Sequence, residues 1–100
     1  MNISEYKAHE ILDWIPSACA DMAESQSTLK RDGFEVDGPT DADELYESED
    51  TIYDLLVQQI HDKSGANIDL AISITKQILV ISDHEVIKKC CVKFLNKMEE

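Results

Sequence analysis

Apolar residues recur along most of the chain at the three-and-four spacing of a helix, and no stretch of useful length alternates as a strand would. The first stripe, Ile11, Ile15, Ala18, Met22 and Leu29, runs through Pro16 without losing phase, and Ser4 is placed to cap its start. Proline removes one backbone donor and crowds the preceding turn. The stripe therefore predicts either one kinked helix or two short ones, over residues about 4–14 and 16–30.

A second stripe, Leu45, Ile52, Leu56 and Ile60, predicts a helix over about 41–63. Thr40, three residues before Asp43, resembles a capping box, and Ser64-Gly65 supplies the stop. Next, IDLAISITKQILVI is apolar on most sides, which marks a central buried helix over 67–81 with Asn67 as its cap. Ser82 and Glu85 have capping-box spacing ahead of a last helix over 83–98. Its apolar face holds Ile87, Cys91, Phe94 and Met98, widened by Val86, Cys90 and Leu95, while Lys89, Lys93 and Lys97 form another row. So short a link favours an antiparallel helical hairpin at the C-terminal end. Between the first two stripes lies an acidic loop, 32–40, DGFEVDGPT, whose Phe34 and Val36 are expected to strap it to the core. The pattern predicts an all-α, compact single domain of four or five helices.

Composition supports one domain: 100 residues with 43% apolar content, three Gly and two Pro cannot hold a second core but can fold. There is no signal-like or membrane-spanning apolar run, so the expected location is the cytoplasm. Cys19, Cys90 and Cys91 lack the spacing of a zinc site or a disulfide framework and read as reduced core thiols.

Charge changes the picture. The formal net charge is −12, and residues 32–62 carry eleven acids with no Lys or Arg. Nucleic acid and anionic membranes need basic residues against phosphate, so neither is expected as a direct ligand; the field suits a basic protein partner. On a helical wheel Asp43, Glu47, Asp50 and Asp54 fall within about 60° of one another, opposite the Leu45–Ile60 stripe. Like charges at i,i+4 weaken a helix by about 0.2–0.5 kcal/mol per pair, so helix formation does not favour such a ridge. The ridge forms the centre of a candidate interface, with Asp32, Glu35 and Asp37 as a flank and Tyr46 and Tyr53 as possible aromatic anchors.

Catalytic chemistry finds little support. DADELYESED lacks the glycine and ligand spacing of a calcium loop, and no Glu precedes a His by three as a di-iron bundle requires. His9, His61 and His84 lie on separate segments, each before an acid, and read as surface or capping residues. The glycines fall at turns rather than in a phosphate loop, and no nucleophile elbow is present. Trp14 reads as core. No catalytic residue, metal or cofactor is expected.

The function expected on these grounds is that of a small acidic inhibitor masking a basic protein, in particular an immunity protein against a nuclease-type toxin. A phage-type DNA mimic directed at a nucleic-acid-binding defence complex uses the same charge logic. A helical adaptor whose acids only keep it soluble is the rival from another class.

Overall fold

The computed structural model describes residues 2–36 and 40–99, and among them it contains five α-helices and no strand. These are α1 (Ile3–Arg31), α2 (Ala42–Tyr46), α3 (Glu49–Ser64), α4 (Ile68–Ile81) and α5 (Glu85–Met98). The helix α1 has 29 residues, about 43 Å at 1.5 Å per residue, close to the 46 Å longest dimension of the molecule.

The stripe through Pro16 is carried by one unbroken helix rather than two. Ala8, Ile11, Ile15, Ala18 and Cys19 stay in phase on the buried side. Pro16 faces solvent, where the lost hydrogen bond is least costly. Asn2 caps this helix, its side chain accepting from the Glu5 amide at 2.8 Å, in place of the expected Ser4. Ser4 is buried and accepts a 2.7 Å hydrogen bond from the Ser73 hydroxyl on α4. The expected stripe also ends early: Leu29 is 45% exposed, and α1 buries nothing fully beyond Ala23.

The single helix expected over 41–63 is two. Ser48 leaves the helical region (ψ 115°) and its hydroxyl accepts from the Thr51 amide, so it caps α3; the preceding residue, Glu47, closes α2. A serine that can bond a nearby backbone amide competes with helix continuation, and the crowded acids on either side weaken the helix it interrupts. Asp41, not Thr40, caps α2 by accepting from the Asp43 amide at 2.8 Å. The Thr40 carbonyl instead accepts from the Ser27 hydroxyl, tying the end of the loop to α1. Further along, Gly65 takes φ +59° as the stop after α3, and Asn67 caps α4 by accepting from the Leu70 amide, both as the sequence predicts.

The α4–α5 hairpin is present, but α5 starts two residues later than Ser82-x-x-Glu85 implies. His84 is the cap, its Nδ1 accepting from the Ile87 amide, while the Ser82 hydroxyl accepts from the His84 amide. Helix α4 packs on α1, α3 and α5, and Ile74, Thr75 and Ile78 at its centre are fully buried. Around them stand Ile11 and Ile15 of α1, Ile52, Leu56 and Ile60 of α3, and Ile87, Cys90 and Cys91 of α5. Leu45 anchors α2 to the same core. Near the α1 N-terminus, the Lys7 ammonium donates to the Lys63 carbonyl at 2.8 Å and Lys63 pairs with Glu10 at 3.0 Å, so the end of α3 lies beside the start of α1. Phe34 does not strap the loop to the core: it is 63% exposed.

Replacing Pro16 with Ala should restore the missing hydrogen bond to the Leu12 carbonyl and relieve the ring clash. The expected gain is about 2–2.5 kcal/mol, the cost of an interior proline less the stabilisation it gives by stiffening the unfolded chain, read from urea denaturation. A loss of stability would show that the proline ring is a required contact.

Candidate functional site

The acidic ridge follows the helix break. Asp43 and Glu47 remain one turn apart, since the Glu47 amide donates to the Asp43 carbonyl at 3.2 Å, and Asp50 and Asp54 share a face of α3. The middle step from Glu47 to Asp50 crosses the non-helical Ser48, so the four carboxylates form two pairs on two helices rather than one line. All four are exposed. Asp50, in the first turn of α3, also meets the partial positive charge of that helix end. The break therefore removes part of the repulsion that a continuous ridge would carry.

Glu47 has a partner that its sequence neighbourhood does not suggest. Its Oε1 lies 3.2 Å from His84 Nε2, and the Tyr46 ring stands edge-on to the imidazole with centroids 4.3 Å apart. Because Nδ1 accepts from the Ile87 amide, the proton of the neutral ring belongs on Nε2, where it is donated to Glu47. One histidine thus joins the α2–α3 break to the start of α5. Tyr46 is half-buried in this contact, and its phenol is pushed above the ordinary range by burial first, then by Cys19 and Glu47. It is partly committed to the interior rather than freely presented as an anchor.

Tyr53 is likewise half-buried, with the Lys93 ammonium 4.5 Å and the Lys97 ammonium 5.9 Å from its ring centroid. Such cation–π contacts contribute about 0.5–1 kcal/mol at exposed sites. They bring two members of the α5 lysine row against the helix that carries Asp50 and Asp54. The sequence places that row and the acids on separate helices but gives no sign that they adjoin. Asp32 and Glu35 are exposed just past the end of α1, and Asp37 lies outside the described residues. Among the described residues the lysine–carboxylate pair within 4.0 Å is Lys63–Glu10 and the histidine–carboxylate contact is His84–Glu47, so Asp43, Asp50 and Asp54 have no cationic partner there.

The three thiols are free and buried. Burial raises Cys19, pushes Cys90 up to about 11 with help from Glu49 and against Lys93, and pushes Cys91 up to about 12 with help from Cys90. Cys90 donates to the Glu49 carbonyl at 3.5 Å. Such groups are poor nucleophiles. Among the described residues no group of three or more His, Cys, Asp or Glu is placed to hold a metal, and no helix is long and apolar enough to cross a membrane. An apolar hollow of about 360 Å³ lies between the end of α3, the start of α4 and the end of α5, walled by Val57, Ile60, Ile68, Ala71, Phe94 and Met98. Trp14 packs half-buried against the core. Comparison with family models, with curated proteins and with solved structures finds no match.

Removing His84 as Ala should cost about 0.5–2 kcal/mol, the range for loss of a helix cap, and nitrogen-detected NMR of the wild type should show the Nε2–H tautomer. An Nδ1–H tautomer would contradict the capping role. The buried thiols set an alkaline limit. Their raised values favour the folded state fully below the ordinary thiol value of 9.0, and that contribution is lost as pH rises toward 11–12. The urea midpoint should fall above about pH 9 for this reason, and less steeply in a C90A/C91A variant. Equal slopes would assign the alkaline loss to other groups.

Proposed function

We propose that the protein is an acidic inhibitor that binds and masks a basic surface on another protein, most simply the phosphate-binding face of a nuclease-type toxin. One observation carries this reading. The segment 32–62 holds eleven acids and no Lys or Arg, and the structure leaves Asp43, Glu44, Glu49, Asp50 and Asp54 exposed on α2 and α3 without a cationic partner among the described residues. Solubility alone is served as well by mixed signs, which also favour the helix. A nuclease holds phosphate with positive charge, so a concentrated negative surface gains from steering during encounter and from complementarity once docked. The break at Ser48 supports this reading in a further way. It presents the acids from two helices, giving a broader patch than a single ridge. An inhibitor that imitates DNA phosphates to block a defence complex is a variant of the same reading.

A second reading has one observation in its favour. Lys93 and Lys97 over Tyr53 place positive charge at the margin of the acidic patch, as in an adaptor whose acids are balanced at home.

Charge reversal separates the two. D43K/D50K/D54K should keep the helical far-UV spectrum, since all three side chains are exposed, yet fail to retain the basic protein that wild type captures from its host at low salt. For that partner, association should slow at least about tenfold from low to high salt, and its nuclease activity should be lost on binding. Equal capture by both proteins would sink the acidic-interface reading and leave the adaptor.

A further inference from the structure

The end of α1 is built as an apolar tip. After Ala23 the helix runs on for two further turns with only Gln26 partly covered. It closes with the Phe34 amide donating to the Leu29 carbonyl at 3.0 Å and the Gly33 amide donating to the Lys30 carbonyl at 3.1 Å, with Gly33 at φ +92°. That is the Schellman pattern, which brings the side-chain positions of Leu29 and Phe34 together. Where the motif occurs, this apolar pair frequently makes a covering contact at the chain end. Here both members remain open, at 45% and 63% exposure.

The surroundings of the tip are charged and uneven. A shallow depression of about 510 Å³ runs up α1 from the tip, lined by Asp21, Glu24, Ser25, Thr28 and Leu29. Asp32 falls within the same arc of the helix, and Glu35 follows Phe34. Lys30 points to the opposite side, and Arg31 borders the arc beside Glu24.

We infer that Leu29 and Phe34 form the apolar anchor of the interaction surface, seated in a hydrophobic socket of a basic protein whose cations meet Asp21, Glu24, Asp32 and Glu35. This rests on the reading of the protein as a binder of basic surfaces and names where its binding energy is concentrated. Tyr46 and Tyr53 are engaged with His84, Lys93 and Lys97, whereas Phe34 is presented by a closed backbone motif with little ordering left to do on binding. Acids along one side of the apolar pair would give the combination of anchor and charged rim that tight interfaces use. The pair stands at the far end of α1 from the Lys7–Lys63 contact, and so away from the apolar hollow that the end of α3 lines.

The test uses the intact protein and two synthetic probes: an amphipathic helical peptide of lysine and leucine, and a lysine–serine peptide of the same charge. The lysine–leucine peptide should shift the NMR signals of Leu29, Gly33 and Phe34 on binding. L29S/F34S, whose changes are at exposed positions and whose fold is checked by circular dichroism, should bind it at least about tenfold more weakly. The lysine–serine peptide should bind weakly and equally to both. If L29S/F34S binds the lysine–leucine peptide as tightly as wild type while D43K/D50K/D54K loses it, the anchor is overturned and the acidic surface stands. If D43K/D50K/D54K binds as tightly as wild type while L29S/F34S does not, the acids of α2 and α3 take no part and the anchor stands on its own rim. If both variants bind as wild type does, or wild type binds neither peptide, the acidic-binder reading and the anchor both fall.

Discussion

Helix α4 must be taken out of water. Its sequence, IDLAISITKQILVI, offers Lys76, Gln77 and Asp69 as its strongly polar side chains, and α1, α3 and α5 close over it. Each fully buried Ile contributes about 1.5–3 kcal/mol, and Ile11, Ile15, Ile52, Ile60, Ile74, Ile78 and Ile87 are all at 0% exposure. Thr75 joins them without an orphaned hydroxyl because its Oγ1 donates to the Ala71 carbonyl at 2.7 Å. The cover is incomplete, leaving Val80 at 80% exposure near the end of the helix. Once three helices are committed to this core, the direction in which each remaining side chain points is settled.

The acids acquire their geometry from that constraint. With Ile52, Leu56 and Ile60 turned inward, Asp50 and Asp54 face solvent, and the antiparallel return of the chain through α4 sets α5 alongside α3. The lysines of α5 thereby reach Tyr53, and His84 at its start reaches Glu47. Lys93 and Lys97 thus set positive charge at one margin of the acidic patch, a hydrogen bond from His84 engages Glu47 at another, and Asp43, Asp50 and Asp54 have no cationic partner among the described residues.

Periodic burial was legible in the sequence, and punctuation was less so. The apolar stripes of α3, α4 and α5 assign their buried faces correctly because burial dominates wherever 3.6-residue spacing is sustained. The breaks were harder to read because several polar residues stand near each helix start, and local hydrogen bonds choose among them by small differences. Asn2, Asp41 and His84 cap in preference to Ser4, Thr40 and Ser82. The count of five helices agrees with expectation while the division differs. Pro16, the strongest breaker by residue type, is accommodated on an exposed face, whereas the ordinary Ser48 divides a helix between two runs of repelling acids. The Glu47–His84 link joins positions 37 apart in sequence, and the exposure of Phe34 depends on what fails to pack against it, so no local signal reports either.

The overhang of α1 has a thermodynamic consequence. The amides of residues 24–31 are held by the helix's own ladder, the terminal motif and the Ser27–Thr40 tie, with only Gln26 partly covered, whereas those around Ile11 and Ile15 can open only with the bundle. The molecule should therefore have two unfolding free energies along one continuous helix, a small one for fraying of the tip and the global one for its first six turns. A ligand gripping the tip would add to the first of these without needing to alter the second.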